Sequence, residues 1–182
     1  KFYQSASVPI GASSFAKFCD EWIENNIKLR RRINLIDLGA GNFRDSAYFS
    51  VLDYNVTAVD YAIDEKFAKA ADLNMKNFDF HKMDICEVVK RVKPKFDIVY
   101  SRFFLHAIET RQILKVLDWT EGYFMAEFRI EGDKPKIYKN HDRNLMDPQG
   151  LLWIMIETYG FDILYFKVGK GMAEYKGEDP LF

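Results

Sequence analysis

The segment Ile36-Asp37-Leu38-Gly39-Ala40-Gly41-Asn42 closes an apolar run on an acid and then alternates glycine with small residues. Glycine at such a turn lets the backbone approach a ligand closely, because no Cβ stands in the way. Residues 33–38 before it have the β-rich apolar character of a short strand, and residues 44–52 after it read as a helix. The unit is strand, glycine turn, helix. A dinucleotide-binding turn would carry its third glycine at position 44, where a pyrophosphate meets the helix N-terminus, but this chain has Arg44. A nicotinamide cofactor is therefore disfavoured.

The same alternation extends outward in both directions. Upstream, Ser13 or Ser14 is a natural N-cap for a helix whose apolar positions Phe15, Phe18, Cys19, Trp22 and Ile23 recur at helical spacing. Downstream, strands are expected at 56–59, 78–82, 96–100, 122–128 and 161–168. Helices at 63–71, 85–92, 110–117 and 149–159 are expected between them. Six strands alternating with helices call for an α/β fold, a parallel sheet covered on both faces with right-handed crossovers.

With 182 residues, 48% of them hydrophobic, the chain has the size of one domain and can bury a substantial core. Five prolines, ten glycines and no low-complexity stretch leave no obvious linker, so a single domain over 1–182 is expected. The balance of 26 basic against 27 acidic residues argues against a protein that coats nucleic acid through many phosphate contacts. The one basic cluster, Lys28, Arg30, Arg31 and Arg32, suits a solvated helix end. Cys19 and Cys86 have no paired spacing, which points away from disulfides and zinc and toward a reducing, cytoplasmic setting. No apolar stretch is long enough to read as a membrane span.

Three acids stand at or just beyond predicted strand ends. Asp37 precedes the first glycine by two residues and suits a ligand carrying an ammonium group, received directly or through hydrogen bonds relayed by backbone or water. Asp60 closes the strand 56–59, where a carboxylate can hold both hydroxyls of a ribose. In Met83-Asp84-Ile85, after the third strand, Asp84 can accept from an adenine amino group beside an apolar ring contact. It can equally cap the helix that follows, and the two roles are compatible.

With these residues in this order, the chain resembles the class I S-adenosylmethionine-dependent methyltransferases over nearly its whole length. It is most similar to small bacterial members with an Asp-Leu-Gly-Ala-Gly-Asn-x-Arg-Asp-Ser turn, here Asp37 to Ser46, which often accompany surface-polysaccharide or other small-molecule modification. The resemblance implies a Rossmann-like fold with a central, mostly parallel sheet and an antiparallel last strand, of which the sequence up to Phe182 reaches only the start. It implies that Asp37, Gly39, Gly41, Asp60, Asp84 and Ile85 hold S-adenosylmethionine, and it places Ser101 and Arg102 near the methyl donor. Members usually carry a third alternating glycine where this chain has Phe43. Its ring either narrows the cofactor cleft or points into the sheet–helix interface.

Methyl transfer from a sulfonium is an in-line displacement, so acceptor residues should lie past the ends of the later strands, where open α/β sheets form their ligand crevice. Ser101, Arg102 and His106 follow the fourth strand, Glu127 and Arg129 the fifth, Tyr138, His141 and Arg143 the next loop, and Lys170 the sixth. Gathered at one rim, Arg102, Arg129, His141, Arg143 and Lys170, with Tyr138 beside them, would bind an anionic acceptor. His106 is either a general base, grouped with Arg129 and Arg143 as the catalytic candidates, or a ring that satisfies a buried backbone group. The expected activity is O-methylation of a small phosphorylated, nucleotide-linked or polysaccharide-precursor molecule, without a metal and without nucleic acid or membrane as partner. The rival is a catalytically silent, cofactor-binding partner of another methyltransferase. The sequence sets no oligomeric state.

Overall fold

The computed structural model describes residues 11–28, 30–63, 75–93, 95–132, 143–172 and 181–182. The first helix, α1 (Ser14–Asn26), starts where the Ser13 hydroxyl accepts the amide of Ala16, and it buries the stripe Phe15, Ala16, Cys19 and Ile23. Then follow β1 (Asn34–Leu38), α2 (Arg44–Val51), β2 (Asn55–Val59) and β3 (Phe78–His81). After these come α3 (Ile85–Arg91), β4 (Ile98–Arg102), a single 3-10 turn (Leu105–Ala107), α4 (Thr110–Trp119), β5 (Tyr123–Glu127) and α5 (Pro148–Glu157). The expected helix at 63–71 falls almost entirely outside the described residues.

The sheet runs β3-β2-β1-β4-β5, and every pairing in it is parallel. Strand order reverses at β1, so the crevice of this fold opens at the carboxyl ends of β1 and its neighbours. Alternation along β1 divides the core between two layers. Leu35, with Ile98 and Tyr100 of β4, packs under α1 and α2 against Phe15, Cys19, Ile23 and Phe49. Ile36 and Leu38, with Val99, pack on the opposite face against Ile85 and Val88 of α3 and Val116 and Trp119 of α4. A central parallel strand buried on both faces has to be apolar almost throughout, which explains why Leu35 to Leu38 is apolar but for Asp37.

Two expectations about strands need correction. The fourth strand lies two residues later than the sequence pattern implied, at Ile98–Arg102, because Ser101 and Arg102 continue the ladder against Ala126 and Glu127 of β5. Asp97, just before it, caps the start of β1 through the Asn34 amide and is gripped by both terminal nitrogens of Arg31. The expected sixth strand at 161–168 does not form among the described residues. That segment follows β5 with Phe161 near Phe124 and Met172 bonded to Glu127, yet it stands off across a cavity of about 800 Å³ and makes no ladder with it. Strand-like composition alone does not supply backbone partners, and Leu164, Tyr165, Phe166 and Val168 remain exposed. An antiparallel last strand is likewise not among the described pairings.

Candidate active site

The glycine turn departs from β1 with Gly39 at φ 76° and Gly41 at φ 56°. Both are left-handed conformations that suit glycine. The amides of Gly39 and Ala40 donate to the Val59 carbonyl, so the turn stays pinned to the end of β2. A Cβ on Gly39 would stand 2.6 Å from the Phe104 ring, which closes over the turn from the β4 side. Phe43, in the place of the third glycine, keeps the left-handed backbone at φ 61°. Its ring is buried among Ala58, Ile63, Phe78 and Phe80, away from the crevice. Of the two fates open to that side chain, the sheet–helix interface is the one realised.

Asp37 is 3% exposed and accepts the Ser46 hydroxyl at 2.6 Å. Burial pushes its carboxyl up to about 7; the Ser46 hydrogen bond and Arg102 pull it down, while Asp45 and Asp60 push it further up. Asp60, at the end of β2, accepts the Gly41 amide at 2.9 Å on one oxygen and the Ala62 amide at 2.7 Å on the other. The turn and the β2 carboxylate are thereby locked into one cradle. Asp84 caps α3 by accepting the Cys86 amide at 2.8 Å, and its carboxylate is exposed. Ile85 is 4% exposed in the core beneath α3, so the side chain expected to meet an adenine ring spends nearly all its surface on packing. Ser101 is 1% exposed, and its hydroxyl has no hydrogen-bond partner among the described residues.

A second group lies past the ends of β4 and β5. The Arg102 guanidinium lies over the Phe103 ring and donates from Nε to Glu127 at 3.0 Å. The other Glu127 oxygen accepts the Met172 amide, which fastens residues 169–172 to this rim. Phe103 stacks on Phe182 at 5.2 Å, and the Arg129 guanidinium lies 5.8 Å from the centre of the Phe182 ring. His106 is buried, and its Nδ1 accepts the Arg129 amide at 3.2 Å. Residues 143–146 run alongside, with the Asn144 amide on the His106 carbonyl and the Glu131 amide on the Met146 carbonyl.

The fold thus gathers Arg102, His106, Arg129 and Arg143 at one edge of the sheet, with Lys170 exposed beside the Gly169–Phe182 pair. Tyr138 and His141 lie outside the described residues. The expectation of His106 as a general base meets a physical objection. A neutral ring that accepts at Nδ1 carries its proton on Nε2, so it has no lone pair left to take another.

Residues 18–123 match the family described as tellurite resistance protein TehB. The chain belongs to that family. Its fold is shared with solved methyltransferases. The Burkholderia thailandensis 1,6-didemethyltoxoflavin-N1-methyltransferase, solved with 1,6-didemethyltoxoflavin and S-adenosylhomocysteine, superposes with TM-score 0.67 at 18% identity over 93% of this chain and 76% of that one. A SAM-dependent methyltransferase from Archaeoglobus fulgidus superposes with TM-score 0.58 at 16% identity, over 81% and 70%. The Haemonchus contortus phosphoethanolamine N-methyltransferase 1, solved with phosphoethanolamine and S-adenosylhomocysteine, gives 0.58 at 15%, over 79% and 33%. At sequence level, no curated protein matches.

The family match spans the glycine turn, α2 and the Asp60 strand end, so it covers the whole cradle. The sequence motif contains two further residues to which the sequence alone assigned no role. Asp45 and Ser46 occupy the first turn of α2 with Phe49 and Ser50 on the same buried stripe. Polar side chains at positions of an apolar stripe are the signal that could have singled them out.

Proposed function

We propose that this chain is an S-adenosylmethionine-dependent methyltransferase, a single domain over 1–182, that O-methylates a small anionic acceptor. The observation that carries this reading is the cradle at the switch point: a buried Asp37, a turn held open by left-handed Gly39 and Gly41, and Asp60 fastened to that turn. In it Asp37 would receive the ammonium of the methionine moiety, and the lone pairs that Asp60 keeps beyond its two amides would receive the ribose hydroxyls. The exposed Asp84 carboxylate is available to the adenine amino group, and the Ser101 hydroxyl, without a partner among the described residues, to the methionine end. Neighbours solved with S-adenosylhomocysteine support the cofactor. Fold alone does not choose the reaction, because the [4+2]-cyclase SpnF superposes equally well, with TM-score 0.62 at 16% identity.

The sulfonium supplies an activated methyl group, and the chain's own residues have to orient the acceptor and exclude water. Arg102, Arg129, Arg143 and Lys170 are the cations for an acceptor anion. An acceptor oxygen that is already ionised needs no base, which agrees with a His106 ring committed to the Arg129 amide. The test is calorimetry with S-adenosylmethionine, S-adenosylhomocysteine and NAD, followed by transfer of a labelled methyl group to phosphorylated, nucleotide-linked and carboxylate acceptors. Binding of the first two but not NAD, with label in an anionic acceptor, is expected. Cofactor binding without transfer to any acceptor would favour the silent-partner reading, and no binding would refute both.

A further inference from the structure

Among the described residues, the densest buried polar knot lies just behind the cradle, at Asp45. This side chain is 7% exposed, and four donors converge on it. One oxygen accepts the Ser13 amide at 2.8 Å and faces the Arg44 Nε at 3.4 Å. The other accepts the Ser13 hydroxyl at 2.7 Å and the Tyr100 hydroxyl at 2.8 Å. The donors come from three places: the cap of α1, the first residue of α2 and the middle of β4. A surface ion pair would not need this, and a carboxylate so deep is costly unless every lone pair is used.

We propose that Asp45 is a positioning residue for the cofactor crevice: it ties α1 and β4 to the first turn of α2, holding Ser46 on Asp37 and keeping a second negative charge beside that carboxylate. The geometry supports each part. Tyr100 stands directly across from Asp37 in the β1–β4 register, so the hydroxyl that anchors Asp45 belongs to the neighbour of the carboxylate it governs. Ser46, next in sequence to Asp45, is fully buried and donates to Asp37.

The groups around Asp37 are Asp45 and Ser46 of α2, Asp60 at the end of β2, and Tyr100 and Arg102 of β4. Ser13 of α1 reaches Asp37 only through Asp45. Two carboxylates and one guanidinium thus compete over its proton. Asp45 is the one of them built into the protein's interior, and it reinforces the upward push that burial begins. An Asp37 that holds its proton until an ammonium arrives would spare the empty crevice an uncompensated buried charge.

The test is the Asp45→Asn variant. The amide can keep its oxygen on the Ser13 N–H and donate from its nitrogen to the Ser13 or Tyr100 hydroxyl, so the variant removes the charge while keeping part of the knot. Carbon-detected NMR titration of the Asp37 carboxyl, without ligand, should place its midpoint lower by about one pH unit in Asp45→Asn than in the wild type. An unchanged midpoint in a folded variant overturns the proposal.

The second arm rests on the methyltransferase reading. The pH at which S-adenosylhomocysteine affinity rises should fall by the same amount. A uniform loss of affinity with an unmoved profile is what a merely structural Asp45 would give, and it overturns the proposal. Absence of binding in the wild type would instead refute the methyltransferase reading and leave the ligand-free titration to decide Asp45. If Asp45→Asn does not fold, Tyr100→Phe takes its place. Removing one donor leaves the Asp45 charge less compensated, so the Asp37 midpoint should rise, and no movement overturns the proposal.

Discussion

Replacing Phe43 by alanine and by glycine separates two opposing energies at one position. The ring is 3% exposed and packs on Phe78 and Phe80, so truncating it to Cβ should cost about 4 kcal/mol. The backbone holds φ at 61°, a left-handed conformation that costs an L-residue roughly 1–2 kcal/mol and glycine almost nothing. Glycine gives back about 0.5–1 kcal/mol of that through the extra freedom of its unfolded chain. Phe43→Ala should therefore unfold about 8–16 °C below the wild type, at 2–4 °C per kcal/mol for a domain of this size. Phe43→Gly should be the more stable of the two by about 0.5–1 kcal/mol, the reverse of the usual order of alanine over glycine. Paired thermal and urea unfolding curves measure both differences. Calorimetry with S-adenosylhomocysteine completes the set, and because the ring points away from the crevice both variants should bind within about threefold of the wild type at temperatures where they are folded. Alanine more stable than glycine would refute the backbone argument. A tenfold gain in affinity would show that the ring narrows the cleft after all.

Three further outcomes are expected. Because burial raises the Asp37 carboxyl to about 7, the folded chain holds a proton that the unfolded chain releases near 4. Ligand-free stability should fall as pH rises through that window, by at most about 4 kcal/mol, whereas S-adenosylhomocysteine affinity should rise toward pH 7 by up to tenfold per unit; chemical denaturation and calorimetry from pH 5 to 7.5 check both signs. Asp60→Ala removes the acceptor of the Gly41 and Ala62 amides as well as the ribose contact, and should weaken S-adenosylhomocysteine binding about 10- to 100-fold with NAD still unbound. With an identified anionic acceptor, His106→Ala should lower kcat less than about tenfold while Arg129→Ala chiefly raises the acceptor KM; a loss of about 10²-fold or more in kcat for His106→Ala would restore the general base.

The alternation of strands and helices, the glycine turn and Asp60 were legible in the sequence because each is a local matter. A parallel strand buried on both faces must be apolar, a left-handed turn favours glycine, and an acid at a strand end needs no distant partner to be noticed. What tertiary structure alone decided depends on residues far apart in the chain. Phe43 escapes the cleft because β2 and β3 offer Ala58, Phe78 and Phe80 beneath it. His106 accepts at Nδ1 the amide of Arg129, twenty-three residues on. Arg102 is claimed by Glu127 across the β4–β5 ladder. Residues 161–168 read as a strand, but a strand exists only where a neighbour completes its hydrogen bonds, and among the described residues they make no ladder with β5. Asp45 stood in the quoted turn without a role for the same reason: its chemistry lies in Ser13 and Tyr100, thirty-two residues before it and fifty-five after, which only folding brings to one carboxylate.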